Sequence, residues 1–203
     1  MVGPSNRAAV AAVDAWPAWR GGALALVGPQ GSGKSHLARA WARASGALAL
    51  DREQPDVEAA RGRPALLEDA DAGFPAEPLF HLINLAAQPG SSLLLTARRP
   101  PAAWPAALPD LRSRLNALPV AEIEAPDDIV LEGVLRKFFR DRHIRPPEEV
   151  YAYLLRRMGR SVPDAEEIVR RLDEAGDEEL KPVTRVLARQ ILEAVNQNLD
   201  LFE

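Results

Sequence analysis

The chain has 203 residues, 47% of them apolar, enough for one ordinary domain, or a domain with a small lid, whose core needs no staples. It contains no cysteine, which excludes disulfides and thiolate metal sites, and its three histidines (His36, His81, His143) lie too far apart for metal-ligand spacing. A net charge of −4 argues against a protein whose main role is to coat nucleic acid. The opening "MVGPSNRAAV" lacks the basic and apolar stretches of a signal peptide. No apolar run approaches the roughly 18 residues that span a bilayer, so a cytoplasmic protein without a membrane partner is expected.

After Asn6, "RAAVAAVDAW" carries apolar residues at helical spacing and predicts a first helix, with Ser5 or Asn6 available as its N-cap. "ALALVG" (23–28) is a short apolar run ending in glycine and predicts a buried strand. "KSHLARAWARASG" predicts a helix closed by Gly46. Further strands are expected at 47–51, 64–68, 92–96 and 119–123, with helical segments such as "PLFHLINLAAQ" between most of them. Buried strands alternating with helices indicate an α/β fold, a parallel five-stranded sheet with helices on both faces. Around Pro126 the pattern changes to helix-like segments without a convincing strand. The expected organisation is therefore an α/β subdomain over 1–125, a small all-helical lid over 126–195 and a tail over 196–203.

"GPQGSGKS" fits G-x-x-x-x-G-K-[ST] at every fixed position and lies between a predicted strand and a predicted helix. The glycines Gly28, Gly31 and Gly33 let the loop, with Pro29, Gln30 and Ser32, turn its backbone N–H groups inward onto phosphate oxygens. The helix that follows adds its positive N-terminal end. Lys34 then meets the β and γ phosphates, and the Ser35 hydroxyl ligates Mg²⁺. The cofactor expected is ATP or ADP with Mg²⁺. "ALLEDAD" (65–71) supplies an acidic element at a strand end, with Glu68 in the place of a Mg²⁺-associated acid and Asp69 in that of a water-polarising one. A register one residue off, or a merely solvated acidic loop, remains open.

In order along the chain, "GKSHLARAW", the acidic strand end, "LFHLINLAAQ", "LLLTARRPPAAW" and "LPDLRSRL" resemble the AAA+ domain of the replication initiator DnaA. They are closer still to the Hda family, shorter relatives that inactivate DnaA. The opening "VGPSNRAAVAAV" is similar to the family segment beside the adenine, which implicates Val2; His36 follows the P-loop as in the family. The resemblance implies that Arg114 of "LRSRL" is an arginine finger, projecting into a neighbour's nucleotide pocket, with Arg112 assisting. A surface arginine in a salt bridge is the bland alternative for Arg114. Thr96 is the available sensor group between P-loop and acidic strand.

The chain also departs from the family. Ala97 and Arg98 stand where initiators carry an acidic residue after the fourth strand. Pro163 falls at the position of the lid arginine and cannot donate a hydrogen bond, leaving Arg160 as the substitute. With Glu68, these differences point to weak or no hydrolysis by the chain itself. No basic recognition helix is evident, so no DNA-binding domain is expected; Arg156, Arg157, Arg170 and Arg171 read as solvated helix faces.

"QNLDLF" has the form Q-x-L-x-L-F and resembles the peptide by which replication proteins dock on the DNA polymerase sliding clamp. Gln197 suits a small polar pocket, Leu201 and Phe202 an apolar cleft, and Leu199 its entrance. Packing of this segment on the lid is the alternative. The resulting expectation is a clamp-associated negative regulator of replication initiation that presents Arg114 to ATP on DnaA. Two rivals stand beside it: a helicase-loader-type ATPase, and a non-catalytic adaptor stabilised by nucleotide. Self-association is left open.

Overall fold

The structure, a computed structural model, describes residues 1–106, 108–179 and 182–199, the side chains of 177–179 and 196–199 excepted. It divides into two units: Asn6–Glu124, and Met1–Ser5 together with the chain from Ala125 onward.

The larger unit is a parallel sheet of β1 (Ala23–Val27), β2 (Leu48–Ala49), β3 (Pro64–Leu67), β4 (Ser92–Ala97) and β5 (Val120–Glu122) in the order β2-β3-β4-β1-β5. Its helices are α1 (Arg7–Asp14), α2 (Lys34–Ser45), α3 (Ala76–Ala86) and α4 (Pro109–Ala117). Every residue of β1 and β4 is buried, because successive side chains point to opposite faces and both faces are covered. Ala25, Val27, Leu93 and Leu95 pack with Leu82 of α3 and Leu111 of α4. Leu24, Leu26 and Leu94 face the other way, onto Val13 of α1 and Trp41 of α2. Each such leucine contributes about 2 kcal/mol by leaving water. The strand expected over 47–51 is reduced to two residues; it lies at the sheet edge and, among the described residues, pairs with β3 alone.

The order of the strands fixes where a ligand can sit. β1 leads toward β2 at one edge and β4 leads to β5 on the other side, so their connections diverge at the carboxyl ends of the two central strands. In open α/β sheets the crevice at such a divergence is the ligand site.

The second unit is helical: α5 (Asp128–Asp141), α6 (Glu148–Leu155), α7 (Val162–Glu179) and α8 (Arg185–Leu199). Leu131, Leu135, Phe139, Leu154, Ile168 and Leu192 form its core. Asp127 caps α5 by accepting the Val130 N–H at 2.9 Å. It also accepts the Ser5 N–H at 2.9 Å, while Ser5 Oγ accepts the Asp127 N–H at 3.2 Å. Ser5 is thus a partner of α5 and not the cap of the first helix; Asn6 stands at that N-cap position without a side-chain capping bond. Among the described residues no helix is long and apolar enough to cross a membrane.

Candidate functional site

The sequence from Gly28 to Ser35 lies at this divergence of the sheet. β1 ends at Val27, the Gly28 N–H donates to the Ala97 carbonyl of β4 at 3.2 Å, and the loop runs into α2 at Lys34. Gly28 is needed for close approach, since a Cβ there would lie 2.1 Å from the Ile123 carbonyl oxygen. Gly33 serves a different purpose. It caps α2 with φ 97°, and a Cβ there would meet nothing within 4 Å, so the space above it is open. No side chain caps the helix, which leaves its first N–H groups facing that space. The Ser32 hydroxyl is buried and has no hydrogen-bond partner among the described residues. An anion above the loop satisfies the orphaned hydroxyl and the helix amides together, so these residues fit a phosphate.

Lys34 is 6% exposed, and its Nζ donates to the Gly28 and Pro29 carbonyls at 2.7 Å each. Burial pushes its ammonium below the ordinary lysine range; Asp69 and Asp71 oppose the shift and Arg98 adds to it. Ser35 is half-buried in the first turn of α2, and His36 next to it is exposed.

The acids after β3 have separate partners. Glu68 accepts from Arg39 Nε of α2 at 2.8 Å. Asp69 is exposed, in a left-handed conformation (φ 52°), and its N–H donates to Thr96 Oγ1 at 2.9 Å. Thr96 is fully buried in β4, in register with Leu26. The charges of Asp69 and Asp71 act on Lys34. Arg39 is a residue that sequence reasoning missed; an arginine on an exposed helix face carries no local signal of a partner 29 positions away.

Arg114 lies elsewhere on the sheet. It is exposed on α4 and shares a cleft with Arg20, Gly21, Ala23 and Pro119, which mark the amino-terminal end of β1. The phosphate loop leaves the carboxyl end of the same strand, roughly 16 Å away at about 3.3 Å per residue. Arg112 is half-buried and tied to the Ala102 carbonyl at 3.0 Å. In the helical unit, Val2 is exposed and Arg160 pairs with Asp128 at 2.8 Å. Pro163 sits in the first turn of α7, where a missing N–H costs nothing. Leu201 and Phe202 lie outside the described residues, as do the side chains of Gln197 and Leu199.

No family model matches the chain. Among curated proteins it is 29% identical over 150 residues to the chromosomal replication initiator protein DnaA of Sphingopyxis alaskensis, a match covering 73% of this chain and 30% of that protein. Among solved structures, domain III of the Thermotoga maritima replication initiation protein DnaA superposes with a TM-score of 0.77 at 21% identity, covering 95% of this chain and 93% of the other. The chain has the AAA+ fold of DnaA domain III. Its sequence is similar to DnaA over the matched stretches. AMPPCP-bound DnaA from Aquifex aeolicus matches this AAA+ domain with a TM-score of 0.69 at 20% identity, over 88% of this chain and 64% of that one. The chain spans less than a third of the length of the curated relatives it matches.

Proposed function

We propose that this AAA+ domain binds ATP or ADP in the loop Gly28–Ser35 and acts as a clamp-associated negative regulator of replication initiation, in the manner of the Hda family. The nucleotide reading is supported by the orphaned Ser32 hydroxyl, the open space over Gly33 and the buried Lys34. Mg²⁺, when bound with nucleotide, neutralises phosphate charge; Ser35 and an acid after β3, Glu68 or Asp69, are its protein ligands in this reading. Val2, His36 and Arg160 are assigned to the nucleotide on the family resemblance alone, as is the sensor role of Thr96.

One observation carries the regulatory part. Arg114 is exposed at the end of β1 opposite the phosphate loop, so a phosphate that it meets belongs to another molecule. In this reading that phosphate is on ATP held by DnaA, and the guanidinium stabilises charge that builds on it during hydrolysis. Such a role tolerates a weak hydrolytic site in the chain itself, which the engagement of Glu68 by Arg39 also favours. Gln197, Leu199, Leu201 and Phe202 recruit the domain to the sliding clamp.

The test has two parts. Calorimetric titration of the clamp with the intact chain and with a version ending at Asn196 is expected to show binding by the first only. With clamp present, Arg114→Ala is expected to abolish stimulation of ATP hydrolysis on DnaA while clamp affinity is unchanged. Stimulation that survives Arg114→Ala refutes the finger and leaves the adaptor reading. Basal turnover that falls with Lys34→Ala identifies a loader-type ATPase instead.

A further inference from the structure

The turn between α5 and α6 gathers cations that no acid answers. Other basic residues of α5 are paired: Lys137 with Asp141 at 2.7 Å, and Arg142, just past its end, with Asp173 at 3.5 Å. Arg136 donates from Nε to Glu132 and from Nη1 to Glu148, at 2.9 Å each. Arg140, His143 and Arg145 differ. All three are exposed, and among the described residues their side chains make no hydrogen bond or ion pair. They line one cleft of about 480 Å³ within the helical unit. Glu148 lines it too, but Arg136 occupies both of its carboxylate oxygens.

The backbone holds this turn in one form. The Ile144 N–H donates to the Phe139 carbonyl at 2.9 Å and the His143 N–H to the Arg140 carbonyl at 3.0 Å, the pair of bonds that closes a helix through a left-handed residue. That residue is His143, with φ 60°, where a glycine would be free of strain.

A neutral donor completes the cleft. Tyr151 of α6 is only 7% exposed, with Phe139 edge-on at 5.6 Å and the Arg136 guanidinium over its ring at 4.3 Å. Its hydroxyl makes no hydrogen bond among the described residues. It is not one of the sealed orphans, which are on Ser32 and Trp41, so it meets solvent through the cleft that Tyr151 lines. Burial pushes the phenol up, which keeps the proton that it would donate.

We propose that this cleft is an anion site, built from other residues than the loop Gly28–Ser35, and that it takes the phosphate group of a small phosphorylated molecule. Arg140 and Arg145 meet the phosphate oxygens, and the Tyr151 hydroxyl donates to one of them. Ile144 and Pro146 form a wall for the rest of the ligand, and the volume is that of a small-molecule site. A docking peptide would need apolar anchors, and none of the large apolar side chains exposed among the described residues lies in the cleft. A nucleic acid, as a polyanion, meets the repulsion of a chain with net charge −4, whereas one phosphate feels chiefly the cations within about 10 Å.

The test uses inorganic pyrophosphate as probe and the imidazole C–H signals of the full chain as readout in NMR. The chain has three histidines, so His143 reports on this cleft while His36 reports on the loop. Pyrophosphate is expected to shift the His143 signal saturably. Arg140→Ala with Arg145→Ala should weaken that response at least about 10-fold, and Tyr151→Phe about 3-fold, with the His36 response unchanged. Thermal unfolding without pyrophosphate should be unaltered by the arginine substitutions, because both side chains are exposed and unpaired. A His143 signal that does not move, that moves equally with chloride at matched ionic strength, or that ignores the arginine substitutions overturns the site. A single-stranded oligothymidylate that shifts His143 where pyrophosphate does not overturns the small-molecule assignment in favour of a nucleic acid.

Discussion

Replacing Gly28 by alanine separates the architectural demand on this residue from any demand of a ligand. A Cβ at Gly28 would lie 2.1 Å from the Ile123 carbonyl oxygen and 2.8 Å from Ile123 Cγ2, more than 1 Å inside normal contact for the oxygen. The Ile123 N–H donates to the Val27 carbonyl at 2.8 Å, which holds this residue close against β1. β5 must then shift outward against its pairing with β1, its only one among the described residues. Overpacking costs roughly 1–3 kcal/mol and the strained hydrogen bond about 1 more, so the expected loss is about 2–4 kcal/mol. For a domain of this size that is a fall of about 5–12 °C in Tm. The assay is thermal unfolding by circular dichroism without nucleotide, so that ligand stabilisation does not enter. Gly21→Ala is the control: a Cβ there meets nothing within 4 Å, and only its φ of +68° is strained, a cost of about 1–2 kcal/mol. A Gly28→Ala protein that melts no lower than Gly21→Ala would refute the close-approach argument.

Thr96→Val keeps the shape of the buried side chain but removes the acceptor of the Asp69 N–H, so a loss of about 1–2 kcal/mol is expected in urea unfolding, with Thr96→Ser restoring most of it. Asp127 is raised by burial, but the hydrogen bonds from Ser5, Val130 and Ile129 outweigh this and hold its carboxyl below the ordinary 3.8. A depressed native value means that its contribution is complete above the ordinary carboxylate range and is lost as pH falls through the native one. Asp127→Asn, which can still cap α5, should therefore flatten the acid limb of the stability–pH curve; an unchanged limb assigns that limb to other carboxylates. Arg39→Ala breaks a pair whose side chains are 65% and 25% exposed, so stability should stay within about 0.5 kcal/mol. On the nucleotide reading it releases Glu68 and makes nucleotide affinity more dependent on Mg²⁺, measured by titration with and without chelator.

The phosphate loop was legible because its chemistry is written in eight consecutive residues, and the helical unit because an amphipathic stripe repeats every few residues. The alternation of β1 and β4 between two faces was equally local, and both strands lie where their apolar runs predicted. Boundaries at the sheet edge were not, since β2 has a single neighbour to hold it and its length depends on that pairing. Three features were decided only when distant segments met. Ser5 reaches across 122 positions to Asp127, Arg39 finds Glu68, and the Ile123 carbonyl excludes a Cβ at Gly28. Each depends on which distant segments pack side by side, and no local window encodes that. The same holds for Arg98: its neighbours in the chain suggest only a basic turn, whereas the pairing of β4 with β1 puts it beside the loop. Sequence alone determined the glycine-rich loop Gly28–Ser35 and the strand and helix that flank it. The tertiary structure decided which charges face it, because charges act through space and the order of strands in the sheet sets those distances.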